Sequence, residues 1–334
     1  MVAKYKQQIE FVAEMKATPA GHHQTVNDPE ILARAIPGTR LAPCQLDPVH
    51  APSRLSRYQM SESCLDIAHL GPRMAFEGET AQDSYTLIFV TCCPGPGQAF
   101  NFGVEHGAGY LGVFPPGAVI DAMTPPGYGN AMLTIQGKAF MNRLESLYPG
   151  VPGSVLSAGA ALRPSTSACH AFQSGLVAAT DGTRAFDSES PEDFGPGLEA
   201  EVLADFIQLF ADGCEQRRPT SAPRLQKRYQ RLRQTREFIE AHLHQHLPIE
   251  SVCHATGLSQ RGLELLFQDL LDVTPTTYIR QLRLQKARQK LLCTAYQAGM
   301  VKKIAFECGF SHLGRFAHDY HRLFGESPGA TLRR

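Results

Sequence analysis

The stretch FECGFSHLGRFAHDYHRLFGESP, residues 306–328, decides how the C-terminal part of this chain is read. It carries a glycine in mid-pattern, aromatics four apart at Phe316 and Tyr320, and scattered basic side chains. Three readings are open to it: a metal site on His312, His318 and His321, a plain buried helix, or a helix that reads DNA. A second stretch chooses among them. Residues 249–268, IESVCHATGLSQRGLELLFQ, repeat the pattern of residues 301–321, VKKIAFECGFSHLGRFAHDYH. Gly257 and Gly309 stand 52 residues apart, as do Val252 and Ile304, Cys253 and Ala305, Leu258 and Phe310, and Ser259 and Ser311. Past the serines the offset is 53, pairing Leu263 with Phe316 and Phe267 with Tyr320, so the second unit has one extra residue at the start of its second helix.

Each copy reads as a helix-turn-helix. Two short helices cross closely only where the facing residue is small, as Cys253 and Ala305 are, and the turn needs a residue that tolerates left-handed backbone, as Gly257 and Gly309 do. Leu258 and Phe310 plug the corner, and Ser259 and Ser311 are the expected N-caps of the second helices. Between the copies lies TPTTYIRQLRLQKARQKLL, residues 274–292, with Thr274 as cap and Pro275 in the first turn. It is apolar along Ile279, Leu282, Leu284, Ala287 and Leu291, and basic through Arg280, Arg283, Lys286, Arg288 and Lys290. Such a helix rises roughly 28 Å, enough to hold two reading helices about one turn of B-DNA (~34 Å) apart in successive major grooves. The boundaries are 249–270 for the first unit, 274–294 for the spacer helix and 301–323 for the second unit. The metal reading fails because no cysteine or carboxylate completes a recognisable ligand set with His318 and His321.

Charge points the same way. From Ser221 onward there are 18 Lys+Arg against 9 Asp+Glu; by difference from the totals of 32 and 32, residues 1–220 hold 14 and 23. A neutral chain thus divides into an acidic body and a basic tail suited to a polyanion. Hydrophobic content of 43% with 19% charged residues is ordinary for a globular protein of two domains. No apolar run is long enough to span a membrane, and the first twenty residues lack the pattern of a signal peptide. The nine cysteines are odd in number and irregularly spaced, which suits reduced thiols in a cytoplasm.

Residues 64–136 are strand-like. SYTLIFVTCC (84–93), GYLGVF (109–114), AVIDAM (118–123) and AMLTI (131–135) are separated by proline- and glycine-rich turns, the pattern of a β-sandwich or small barrel. Three helices are expected to follow, through Phe140 and Leu144, through Phe172 and Leu176, and through Val202, Phe206 and Phe210, the last ending at Gly213 as C-cap. Leu203, Ile207 and Leu209 lie off the main face of that helix and suit either the core or a second copy of the chain. Residues 214–230 read as a linker. The fold class is therefore α+β: an N-terminal sandwich or barrel with trailing helices (1–213), a linker (214–230) and an all-α domain with two helix-turn-helix units on a long helix (231–334).

The tail resembles the DNA-binding domain of the AraC/XylS family of bacterial transcription regulators. The resemblance is carried by TGLSQRGLELLFQDLLDVTPTTYIRQLRLQKARQKL and by KKIAFECGFSHLGRFAHDYHRLFGESPGATLR, and the wording of the second leans towards the subgroup of XylS and the ethanolamine-operon regulators. YLGVFPPGAVIDAMTPPGYGNAMLTI is similar in pattern to the cupin-like sensor of the latter. The resemblance implies a β-rich effector-binding and dimerising domain joined to a seven-helix DNA-binding domain. It implies an activator more often than a repressor.

The expected DNA-facing residues of the first reading helix are Gln260, Arg261, Glu264, Leu265 and Gln268, and of the second His312, Leu313, Arg315 and His318. Arg261 and Arg315 suit guanine O6/N7, Gln260 adenine or phosphate, Glu264 a cytosine amino group and Leu313 a thymine methyl. Arg280, Arg283, Lys302 and Lys303 suit phosphates. The expected partners are double-stranded promoter DNA, RNA polymerase, a small-molecule effector and a second copy of the chain. The effector itself is not assigned. Tyr85, Phe89, Phe100, Phe102, Tyr110 and Phe114 are candidates to line its site or to fill the core. No cofactor, metal or catalytic constellation is expected: around His106 no second histidine follows, and neither a nucleophile–base pair nor a phosphate loop is present. The rival readings are a metal-dependent cupin enzyme fused to a DNA-binding domain, and a DNA-binding protein without ligand. Cys92 and Cys93 read as strand neighbours on opposite faces, with a thiol or metal sensor as the alternative.

Overall fold

The alternating runs around residues 84–93 and 128–136 form the centre of a large antiparallel sheet in the computed structural model. The model describes residues 22–26, 39–48, 51–94, 99–101, 104–149, 156, 159–180, 196–216 and 223–334. Its strands are β1 His22–Val26, β2 Arg40–Gln45, β3 Ser53–Gln59, β4 Ser63–Leu70, β5 Met74–Glu79, β6 Ser84–Cys92, β7 Ala99–Asn101, β8 Val104–His106, β9 Leu111–Phe114, β10 Val119–Thr124, β11 Tyr128–Gln136 and β12 Ala160–Leu162. One sheet has the order β1-β3-β4-β11-β6-β9-β12 and the other β2-β5-β10-β7-β8.

Register explains the first core. Leu133 pairs with Leu65 on one side and Leu87 on the other, and Leu87 pairs with Val113. With period-two alternation these four point to one face, and all are at most 1% exposed. Helices α1 Gly137–Leu147, α2 Thr166–Thr180 and α3 Pro196–Glu215 cover that face. The Phe172 ring lies 4.8 Å from Phe89 and 4.6 Å from Phe206. Leu203, Ile207 and Leu209 are buried in the same core, so the chain itself covers the apolar positions that suited a second copy. Gly213 is not a C-cap. The helix runs on to Glu215, and a Cβ at 213 would meet the Leu162 Cβ at 2.9 Å, so glycine is there for close packing.

The opposite face closes on the second sheet through Leu55, Leu70, Val90 and Tyr128 against Met74 and Ala99. Tyr110, one of the candidate aromatics, joins this layer between the sheets. Phe89 and Tyr85 face the helices, and Phe100 packs against the C-terminal helices. Phe114 is buried, and Phe102 lies outside the described residues. His106 stacks on Tyr110 at 4.7 Å, and burial pushes its pKa down to about 4, so the imidazole is neutral. Among the described residues no group of three or more His, Cys, Asp or Glu is placed to hold a metal ion.

The second half is helical: α4 Pro223–Ala241, α5 Ile249–Thr256, α6 Gln260–Leu271, α7 Pro275–Leu292, α8 Met300–Glu307, α9 Leu313–Phe324 and α10 Pro328–Leu332. Helix α4 begins inside the stretch expected as linker, of which 217–222 lie outside the described residues. Helices α4–α6 and the start of α7 share one core around Leu232, Ile239, Leu263, Phe267 and Tyr278. The end of α7 builds a second core with α8–α10 around Leu284, Ile304, Phe316 and Tyr320. The first of these cores also contains Cys44, Leu46, Ala75, Phe100 and Met123. Cys44, Ala75, Phe100 and Met123 lie on the outward face of the second sheet, with Leu46 just past the end of β2, so this sheet is sandwiched between the first sheet and the helical half. Among the described residues no helix is long and apolar enough to cross a membrane.

Candidate nucleic-acid interface

Both helix pairs turn through the same backbone device. Gly257 (φ 66°) and Gly309 (φ 83°) are left-handed. The next amide returns into the preceding helix, Leu258 N–H to Cys253 O at 3.2 Å and Phe310 N–H to Ala305 O at 3.0 Å. This is the backbone closure that the repeated glycine requires. The second helices then diverge by one residue. Ser259 caps α6, its Oγ accepting from Gly262 N–H at 3.1 Å. Ser311 does not cap α9: the extra residue moves the N-cap to His312, whose side chain makes no capping bond. Thr274 caps α7, with Oγ1 accepting from Thr277 N–H at 3.2 Å, and Pro275 occupies its first turn.

The helix interiors are fixed by Leu263 and Phe267 in α6 and by Phe316 and Tyr320 in α9, each at most 1% exposed. Their opposite faces are open. Gln260, Arg261, Glu264, Leu265 and Gln268 of the first unit are exposed, as are His312, Arg315 and His318 of the second. The Gln260 amide donates to Glu264 at 3.1 Å, and Gln268 donates to Asp272 at 2.7 Å. Leu313 is half-buried against the second core, which leaves Leu265, 50% exposed, as the more open of these two leucines. Lys302 and Lys303 are exposed on α8.

The spacer helix sorts its cations by depth. Arg280 is partly exposed, on the same side as α9. Arg283 is committed internally: Nε donates to Leu243 O at 3.3 Å and Nη2 to Gln245 O at 2.7 Å, tying the spacer to the turn that follows α4. Arg288 is 1% exposed, pairs with Glu326 at 2.7 Å and lies 4.7 Å from the centre of the Phe324 ring. It is part of the core, so of the basic residues counted along the spacer it presents no charge to a ligand. Lys290 donates to Glu307 at 2.5 Å, a bond that raises the ammonium pKa and lowers that of the carboxyl. A cleft of about 270 Å³ lies between the spacer helix and the second unit, lined among others by Thr276, Arg280, Arg283, His312, Arg315 and Asp319. Asp319 was not among the expected site residues, and its spacing of four from Arg315 is the signal that could have found it.

Cys253 sits at the helix crossing with its thiol pKa raised, burial being the main cause. The Cys92 thiol is pushed up to about 11 and that of Cys93 also rises, again through burial. None of the three is set up as a thiolate.

Residues 252–334 match a family model described as a helix-turn-helix domain. The chain is 40% identical over 97 residues to a probable thc operon regulatory protein of Rhodococcus erythropolis, covering 29% of each chain. It is 37% identical over 97 residues to a XylDLEGF operon transcriptional activator of Pseudomonas putida, covering 29% of this chain and 30% of that one. A solved structure, a probable AraC family transcriptional regulator from Rhodopseudomonas palustris, aligns at 38% identity over 31% of this chain and 96% of that chain, with a TM-score of 0.29. Residues 252–334 carry a helix-turn-helix domain of the kind found in AraC/XylS-type regulators. The matched stretch spans 29% and 30% of the length of these two curated relatives. The family-model match, residues 252–334, falls on the two helix pairs and their spacer.

This AraC/XylS-type helical half is tied to the sandwich by polar contacts that the sequence did not reveal. Arg236 of α4, 2% exposed, donates to Asp121 at 2.8 Å and to the Tyr278 hydroxyl at 2.9 Å, and pairs with Glu77. The Tyr229 hydroxyl donates to Asp121 O at 2.8 Å. Strand β2 and its surroundings touch both units: Gln45 donates to Leu323 O at 2.7 Å, Leu46 O accepts from Gln281, and Arg73 pairs with Asp272 at 3.1 Å. Leu323 and Asp272 lie at the C-terminal ends of α9 and α6. The sandwich thus sits behind the reading helices, away from their first turns.

Proposed function

We propose that this chain is a ligand-responsive, sequence-specific DNA-binding transcription regulator, an activator of a metabolite-responsive operon. One observation carries the reading: two helix pairs with the same turn geometry present open polar faces on α6 and α9, joined by one 18-residue helix. That spacer rises roughly 27 Å, close to the pitch of B-DNA, so each protomer engages two successive major grooves. Arg261 and Arg315 reach guanine O6/N7, and Glu264, with Gln260 bonded to it, faces a cytosine amino group or adenine. Leu265 meets a thymine methyl more readily than the half-buried Leu313. Arg280, Lys302 and Lys303 hold phosphates and set register. Arg283 has no such role.

The sandwich is the sensor. Strands β5 and β10 turn Met74 and Phe76 towards the interior, while Ala75, Glu77, Asp121 and Met123 face the helical half. A small effector held in the sandwich shifts those strands and, through Arg236, changes how α6 and α9 are presented. A second copy of the chain and RNA polymerase complete the activating complex on promoter DNA in the cytoplasm. Selection of duplexes from a random pool by the full chain tests the reading. Two sequence blocks separated by about one helical turn are expected, with affinity falling when either block is scrambled; equal binding to every duplex contradicts it. A thermal-shift screen against amines, amino-acid derivatives and aromatic acids tests the sensor.

A further inference from the structure

Among the described residues, Asp319 is the one carboxylate lining the cleft between the spacer helix α7 and the second unit. It faces Arg315, four residues earlier on its own helix, at 3.9 Å, and Arg280 from the spacer at 3.8 Å. Arg283 and His312 line the same cleft. The Asp319 side chain is 13% exposed, and its Oδ2 accepts no hydrogen bond among the described residues. Both distances are within ion-pair range but too long for a hydrogen bond. The carboxylate therefore holds two guanidiniums electrostatically while leaving their N–H donors uncommitted.

We propose that Asp319 is the positioning residue for base readout by the second unit, acting as an internal competitor for Arg315 and Arg280. This rests on the DNA-reading role given above to α9. Over a guanine, Arg315 gains a bidentate partner that outcompetes a carboxylate nearly 4 Å away. Over any other base the guanidinium closes the short gap to the unbonded Oδ2 instead of settling on a phosphate. The same charge lowers the attraction of the cleft for phosphate in general, since it offsets one of the three arginines lining it. Asp319 thus weakens non-specific binding more than specific binding, which is how a repulsive element contributes to specificity.

The test compares wild type, Asp319→Asn, Asp319→Glu and Arg315→Ala as full chains. The probes are a duplex selected by wild type from a random pool and a scrambled duplex of the same composition, over a salt series. Asp319→Asn is expected to lower the specific-to-scrambled affinity ratio roughly tenfold, mainly by tighter scrambled binding. The log K against log salt slope on scrambled DNA should steepen by about 1. Asp319→Glu, which keeps the charge, should recover most of the ratio. A purely structural role would instead weaken both duplexes together at an unchanged slope, and that pattern overturns the proposal. A ratio that falls for Arg315→Ala but not for Asp319→Asn overturns positioning while leaving the DNA-reading role intact. A ratio indifferent to both overturns the two together.

Discussion

Single side chains give the sharpest expectations. Arg315, with 68% of its side chain exposed, packs against nothing in the core, so Arg315→Ala should leave folding unchanged and weaken binding to a selected duplex by roughly 1–3 kcal/mol. A titration at moderate salt with unchanged affinity would refute its assignment. His106 tests the sandwich. Its pKa falls from an ordinary 6.5 to about 4 because burial disfavours the imidazolium. The unfolded chain therefore binds more protons between those values, and the fold loses stability as pH drops through that window, by on the order of 3 kcal/mol at most. Urea unfolding of wild type should show this slope between pH 7 and 4.5, and His106→Phe should flatten it. A slope that survives the substitution would place its source elsewhere. The exposed faces of α6 and α9 were legible because helical period and small-residue crossings fix which face is buried. The partners of Arg283 and Arg288 were not legible, because periodicity reports the face of a helix and not whether a carbonyl or carboxylate waits opposite a long side chain.

At the scale of elements, the two units differ where their sequences shift by one residue. Ser259 accepts the Gly262 N–H, so Ser259→Ala should cost about 1 kcal/mol of stability. Ser311→Ala should cost close to nothing, because the cap position of α9 has passed to His312. Equal losses in thermal or urea melts would contradict the shifted cap. The sequence repeat exposed the extra residue, yet the choice between Ser311 and His312 as cap depends on backbone angles that a repeat does not specify. Gly213 teaches the same lesson in reverse. Its place near a helix end looked like a cap, but the close approach of Leu162, remote in sequence, is what excludes a side chain there. The strands were readable from alternation and turn formers, whereas their pairing into two sheets was not, since register depends on partners far along the chain.

For the molecule as a whole, the second sheet is the structural hinge of the argument from sensor to reader. Its inward residues meet the other sheet and its outward residues meet both halves of the helical region. Arg236→Ala would leave Asp121 and Glu77 without their buried cation, with an expected loss of about 3–5 kcal/mol. If the sandwich and helices are coupled mainly through this contact, their unfolding should separate into two transitions by fluorescence and far-UV circular dichroism. One cooperative transition displaced by less than about 1 kcal/mol would show that the apolar contacts suffice. Nothing in the sequence marked this pair, because residues 121 and 236 share no motif or spacing, whereas the twin units announced themselves by repetition. The central claim is that one protomer grips neighbouring turns of a duplex with α6 and α9. Hydroxyl-radical and methylation footprints at one protomer per site test it most directly: two protected major-groove segments about 10–10.5 base pairs apart are expected, and Arg261→Ala and Arg315→Ala should each erase a different one. Protection of a single segment per protomer would contradict the claim.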